Sequence, residues 1–529
     1  MPRMHKMVFD RRWLLGLLPL LALAVLLVAP VLRLAFEGWW GDLASQTATS
    51  PWALWSDPYL RWRVLWSVLQ AAATCGAALL LGLPVAWVLA RWEFAGRTLV
   101  LRLLMLPFVV PTLVAALGVL ALWGPRGVLS TALGLDLQDT PWLLLYGNLF
   151  FNLCVVVRAG VDALGHVSAQ RVAAARTLGA TPWRAFWRVE WPAIAPWLAS
   201  SLCLVFLYCF AGFGLALVLG GQRYATVEVE IYTLVAHELQ LAPASLLALW
   251  MLLLTGAVAW GYALIEKRLA TPTRVQPIAL RRPSRPAHWL GVAAALAVLA
   301  FFCAAPLLAI LWRAVHAGWD TWALLWDAET LAALWNTLRF SAIALLLATV
   351  LGVLHALAAQ ASVALRAAAF LPFVVSPITV AFGLLLLYPQ WTASLPLLLS
   401  AYAVLAYPFV AKSLAAALDS LPEHLPQAAR SLGATPWRVF WRVTLPMVAP
   451  ALRRGMAFAA ATALGEFAVT LFLSRPEWAT LTTLIYQRLG RPGAANADAA
   501  LVLACVLMAL ALAAFALIEG PRRAEPPHA

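Results

Sequence analysis

The chain has 529 residues, 64% of them hydrophobic and 11% charged, with a mean hydropathy of +0.85. A soluble domain carries about 25% charged residues, so a water-soluble enzyme or binding module is excluded and a bilayer is the expected solvent. The net charge of +14 is spread between apolar runs, which argues for orientation in a membrane and against nucleic-acid binding.

The first run, Trp13 to Val31, follows Arg3, Lys6, Arg11 and Arg12. It is too long for a signal h-region and no small-residue cleavage site closes it, so it is expected to be a retained first span. Runs able to span lie at 13–36, 64–90, 99–123, 141–163, 197–220 and 244–265, then at 288–314, 333–359, 367–389, 393–418, 451–474 and 498–518. Each holds about 20 or more residues, enough for about 30 Å of hydrocarbon. Backbone groups in lipid must pair internally, so the runs are helices. The expected fold is an all-α membrane protein of about 12 transmembrane helices, six per half. The first half is 1–270, with a core of about 62–266 and a cytoplasmic loop at 165–196. A polar Pro- and Arg-rich linker, 271–287, joins it to the second half, 288–529, with a core of about 331–519 and a loop at 420–450.

Alternating the spans from a cytoplasmic N-terminus places 27 of the 37 Lys and Arg on the inside, while 14 of the 23 acidic residues lie outside or within the membrane. This asymmetry puts both termini in the cytoplasm and, with six spans per half, gives the halves the same orientation. Many of the 27 tryptophans sit at span ends, where the amphipathic indole anchors at headgroup level. The six cysteines form no CxxC pair, so no metal site or disulfide framework is expected.

One polar stretch occurs twice. Ala174 to Trp197 and Ala428 to Ala451 are identical at 17 of 24 positions, at an offset of 254 residues that holds without a gap to Tyr232 and Tyr486. Gly179 and Gly433 should break a preceding helix, glycine being suited to the left-handed conformation. Thr181 and Thr435 can cap the next segment, with Pro182 and Pro436 in its first turn. That segment carries Trp183, Arg184, Phe186, Arg188 and their repeats Trp437, Arg438, Phe440, Arg442, and ends at Pro192 or Pro446. A short helix with aromatic knobs and basic residues suits a groove in a protein partner. A helix lying on anionic lipid would not require the same Leu-Gly-Ala-Thr-Pro-Trp-Arg order in both copies.

These loops resemble the Glu-Ala-Ala loop of ATP-binding-cassette importer permeases, with Gly179-Ala180 and Gly433-Ala434 at its centre. The family's leading glutamate is replaced by Ala173 and Gln427. The resemblance implies the type I importer permease fold as two parallel six-helix repeats in the bacterial inner membrane. It implies that Thr181–Trp187 and Thr435–Trp441, with Arg176 and Arg430 ahead of them, dock two copies of a cytoplasmic ATPase, and that a periplasmic binding protein delivers the solute. ATP and Mg would be bound by the ATPase. A Walker A lysine is needed for that chemistry, and Lys6, Lys267 and Lys412, the only lysines, lie outside any such motif. Fusion of both halves resembles the thiamine and ferric-iron permeases. Thr226 to Tyr232 after Leu219-Gly-Gly221 fits both; Phe150-Phe-Asn-Leu153 with Arg158, and Gly124-Pro-Arg-Gly127, are more similar to the thiamine members. The expected cargo is thiamine or its phosphates, with ferric iron as the alternative. A 6+6 secondary transporter driven by an ion gradient would not need two such loops.

Glu466 lies inside the run 451–474 and aligns with Gly212 in the first half. An unpaired carboxylate there costs about 2.5 kcal/mol or more. Glu466, Gly212 and Asn152 are therefore candidates for the translocation pathway, the alternatives being a bonded structural carboxylate and, for Asn148, Asn152 and Asn336, bonding between helices. Arg158 and Lys412 are expected to snorkel at span ends, and His355 to be a packed neutral imidazole. Pro107, Pro111, Pro372 and Pro377 are expected to kink their spans in pairs, the alternatives being a framed gate and plain kinked packing. Glu228 and Glu230 are expected on an outer loop, solvated or assisting the binding protein.

Overall fold

The computed structural model describes residues 12–40, 53–269, 276, 278–422 and 424–520. The basic residues before 12 and most of 271–277 of the linker lie outside this set. The described residues are helical, with one isolated bridge, between Trp92 and Arg281. In chain order the helices used below are α1 (Leu17–Trp39), α2 (Pro58–Arg91), α3 (Thr112–Trp123), α4 (Pro141–Gly165), α5 (Ala169–Thr177), α6 (Pro182–Phe210), α7 (Phe213–Leu219), α8 (Val227–Ala236) and α9 (Leu241–Leu269). The second half supplies α10 (Pro286–His316), α11 (Ala328–Ala358), α12 (Pro377–Leu387), α13 (Leu395–Asp419), α14 (His424–Ser431), α15 (Leu445–Leu464), α16 (Ala468–Leu473), α17 (Leu481–Leu489) and α18 (Ala494–Glu519).

Among the described residues, ten helices are long and apolar enough to cross a membrane, or eleven when Ala364–Val374 and α12, bent by 92°, count as one span. The remaining expected span is present as α15, a 20-residue helix; Arg453 and Arg454 within it make it less apolar. The 254-residue repeat reaches further back than the loops, since α4 and α13 begin and end 254 residues apart. The paired prolines break rather than merely kink their spans: helix ends at Val109 and at Val374, and resumes at Thr112 and at Pro377.

Contacts divide the chain into two compact units. One holds the described residues up to Phe36, Val109–Pro111 and those from Trp319 onward; the other holds those of Glu37–Phe108 and Thr112–Gly318. Each sequence half has thus exchanged its first helix. In the first unit, Tyr388 Oη donates to the Val25 carbonyl at 3.1 Å. In the second, Tyr146 Oη donates to the Phe301 carbonyl at 2.5 Å. The exchanged helices share a wide π-type turn, Ala24–Val28 and Ala300–Ala304, with Pro30 or Pro306 two residues on. The widened turn relieves the clash of a proline ring with the preceding turn. Glycine lets both kinks pack closely: a Cβ on Gly383 would lie 2.8 Å from Pro30 Cβ, and one on Gly118 2.9 Å from the Pro306 carbonyl oxygen.

All six cysteines are free thiols, with Cys154, Cys209 and Cys303 buried. Tryptophans at helix ends, Trp39, Trp319 and Trp326 among them, are exposed on the surface, as interfacial anchoring requires.

Candidate functional site: repeated loops and broken helices

The two loops fold alike in detail. In the first, α5 begins at a capped end, Ser168 Oγ accepting from the Arg171 N–H. It stops at Gly179, whose φ is +83°. The Gly179 N–H bonds Arg176 O and the Ala180 N–H bonds Ala175 O, both at 3.0 Å, the paired closure of a Schellman end. In the second, Gly433 has φ +84°, and the same two bonds run from Gly433 to Arg430 and from Ala434 to Ala429. A Cβ at either glycine would meet nothing within 4 Å. The requirement for glycine is therefore conformational.

Thr181 Oγ1 then accepts from the Arg184 N–H at 3.3 Å, and Thr435 Oγ1 from the Arg438 N–H at 3.4 Å. Trp183 packs edge-on against Trp187 at 5.5 Å, and Trp437 against Trp441 at 5.4 Å. Phe186 and Phe440 complete each cluster, 6.4 Å from Trp183 and Trp437. Ala185 and Val439 face inward, whereas Leu178 and Leu432 are each 89% exposed and Trp183 and Trp437 each 69%. Arg176, Arg184, Arg430 and Arg438 surround these apolar tips with exposed charge.

Pro192 and Pro446 do not end these segments. The helix runs on through a π-type turn, Phe186–Glu190 or Phe440–Thr444, into the span that follows. Trp191 and Leu445 donate back five residues, to Phe186 O and Phe440 O, and this wider turn accommodates the proline. The loop and the span are consequently one rod.

Each rod breaks at its far end. α6 stops at Phe210 and α7 starts at Phe213, with Gly212 as the residue before it. α15 stops at Leu464 and α16 starts at Ala468. Equivalent ring pairs line the two breaks, Phe213 with Tyr232 at 5.6 Å and Phe467 with Tyr486 at 5.2 Å. Non-helical backbone at this depth must be satisfied by protein, and the halves do so differently. In the first, Gln70 Nε2 donates to Cys209 O at 2.9 Å, and Gln70 Oε1 accepts from Asn148 Nδ2 at 2.6 Å. Asn152 Nδ2 bonds Asn148 O and Cys209 Sγ. In the second, Tyr402, which aligns with Asn148, bonds Thr470 Oγ1, and Thr482 Oγ1 donates to Glu466 O at 3.1 Å. Glu466 itself is 8% exposed, and its Oε1 accepts the Val469 N–H at 3.0 Å. It caps α16, where a carboxylate also meets the positive end of the helix.

Glu228 and Glu230 lie in α8, not on a solvated loop, and are 0% and 3% exposed. Glu230 Oε2 is 3.2 Å from Arg63 Nε and accepts from Tyr59 Oη at 3.0 Å. Arg63, which no sequence motif marks, also donates to the carbonyls of Gln222, Arg223 and Ala225. In the second half, Asn336 holds the equivalent segment through Glu477 O and Ala479 O. Ser67 and Thr337 make the same bond in both halves, accepting the N–H of Val227 and of Leu481 at 2.8 Å. His355 is buried, with Nε2 2.7 Å from Leu365 O. Arg158 and Lys412, which align, differ in partner: Arg158 pairs with Asp162 at 3.0 Å, and Lys412 sits 4.2 Å from the Phe370 ring.

Comparison with known proteins bears on what such loops serve. The chain is similar to the thiamine transport system permease protein ThiP of Escherichia coli (strain K12), 28% identical over 95% of this chain and 96% of that protein. It is similar to ThiP of Haemophilus influenzae, 27% identical over 90% and 91%, and to the sulfate transport system permease protein CysT of E. coli, 30% identical over 42% and 81%. The family model of the binding-protein-dependent transport system inner membrane component matches twice, at residues 78–271 and 344–519, so that each match contains one of the repeated loops. The chain belongs to the family of binding-protein-dependent transport system inner membrane components.

Proposed function

We propose that this chain is the membrane permease subunit of an ATP-driven importer of thiamine or its phosphates. The family assignment makes it a multi-pass inner-membrane protein that works with an ATPase and a substrate-binding protein. Two copies of the ATPase dock on the two loops, Leu178 and Trp183 in one and Leu432 and Trp437 in the other entering apolar grooves, with the arginines around them. ATP and Mg belong to that partner, and both termini lie on its side of the membrane. The observation that carries this reading is the duplication of one exposed geometry at two sites 254 residues apart, which suits two identical partners. Because each loop is continuous with its span, α6 being 29 residues long, a displacement at the loop carries about 44 Å along a rod to the break at its far end. Thiamine as cargo is supported by similarity to ThiP proteins over nearly the full length.

Glu466, with Gly212 as its counterpart and Asn152 in the first half, stands as the proposed pathway lining. Discontinuous helices place backbone and helix ends at binding depth, and a carboxylate there suits a cationic cargo. Co-purification with the ATPase tests the docking reading: replacing Gly179 and Gly433 by valine is expected to abolish it, and retention of the ATPase by that variant would contradict the reading.

A further inference from the structure

The segment joining the halves is more than a tether. Its Gln276 carbonyl accepts the Ala169 N–H at 3.1 Å, satisfying one of the free donors at the start of α5. Its Arg281 pairs with the end of α2: Arg281 N–H donates to Arg91 O at 3.0 Å, and Glu93 N–H to Arg281 O at 2.9 Å. Trp92, between these bonds, stacks on His288 with ring centres 4.1 Å apart. Arg91 is thus held through its backbone by the connector. Its side chain reaches the repeated loop, where Arg91 Nη2 lies 2.5 Å from Glu190 Oε2 with the two side chains 11% and 10% exposed. Glu190 closes the π-type turn inside α6 that joins the loop segment to the span.

Among the described residues, the aligned positions of the second half hold no counterpart of this pair. Glu190 aligns with Thr444. With α2 and α11 aligned at Ser67 and Thr337, Arg91 aligns with Ala361. Neither residue can carry charge, although the loop geometry is otherwise duplicated.

We propose that the connector and the Arg91–Glu190 pair form a clamp that fixes the first ATPase-docking loop to the end of α2, and that the second loop moves without one, so that the two docking loops drive transport unequally. The inference rests on the docking reading above. Arg91, Glu190 and Trp92 are positioning residues: they hold the rod that transmits motion and touch neither cargo nor nucleotide. Removing one partner leaves a buried charge that draws in water or pulls the turn outward. ATPase docking at the exposed tips would survive, and transmission through the rod would weaken.

The test uses the full chain reconstituted with its ATPase and binding protein, reading labelled thiamine imported per ATP hydrolysed and, separately, ATPase retained on purification. Glu190→Gln and Arg91→Met are expected to lower the import-to-hydrolysis ratio by about fivefold or more, with ATPase retention unchanged. Trp92→Ala should move it the same way. Exchanging the charges, Arg91→Glu with Glu190→Arg, should recover at least about half of the loss. Asp162→Asn, in the exposed pair with Arg158, should leave the ratio unchanged. A wild-type ratio in both single variants, or no recovery on exchange, would overturn the clamp. Failure of the unmodified chain to retain the ATPase would overturn the docking reading and the clamp with it.

Discussion

The two halves meet the same structural problem at one position of the repeat with different side chains. Both break the fifth span of the repeat, at Gly212 and at Glu466, and both line the break with a phenylalanine–tyrosine pair. The first half satisfies the open backbone with the amides Gln70, Asn148 and Asn152. The second uses Tyr402, Thr482 and the carboxylate of Glu466. The same holds at the segments that precede α8 and α17, where the ionic hub of Arg63 and Glu230 stands against the neutral Asn336. The repeat has kept its backbone and exchanged its polar chemistry, so the first half is the more strongly ionic and the second places a carboxylate at the break.

Substitutions at matched positions break or sharpen this comparison. The largest difference is expected at the clamped segments. Arg63→Leu strands buried Glu230 and should cost about 3–5 kcal/mol. Asn336→Leu strands only two carbonyls and should cost about 1–3 kcal/mol. Thermal unfolding of the purified protein in detergent checks both, and equal losses would erase the distinction between hubs. Next comes Glu466→Ala, which removes a helix cap and should cost about 1 kcal/mol. Glu466→Gln keeps an acceptor for the Val469 N–H, so its stability should stay within about 0.5 kcal/mol of wild type, while thiamine uptake at equal protein falls. Equal uptake would assign Glu466 to capping alone. The smallest difference is expected where the halves agree: Ser67→Ala and Thr337→Ala each lose the accepted bond of 2.8 Å and the bond donated one turn back, to Arg63 O or Ala333 O, and should each cost about 1–3 kcal/mol, within measurement error of each other.

Much of this was legible in the sequence because it is local. Gly179 and Gly433, and Thr181 and Thr435, declare a left-handed stop and a cap through their own side chains, and the structure forms both. The spans declare themselves through apolar length. What was hidden depends on distant partners or on backbone geometry. Glu228 and Glu230 look solvated until Arg63, more than 160 positions earlier in the chain, is brought beside Glu230. Pro192 and Pro446 look like helix ends, since a proline normally stops an α-helix and a π-type turn leaves no mark in composition. The breaks at Gly212 and Glu466 lie inside apolar runs, where hydropathy is blind to an interruption of two or three residues. The exchange of first helices is a property of packing alone.

The central claim is tested most directly by uptake of labelled thiamine into proteoliposomes holding this chain with its ATPase and binding protein, compared with the chain carrying Gly179→Val and Gly433→Val. Uptake should require ATP and all three components, and should be lost in the variant together with ATPase binding. Uptake that proceeds without ATP, or that survives in the variant, would contradict an importer driven through the two repeated loops.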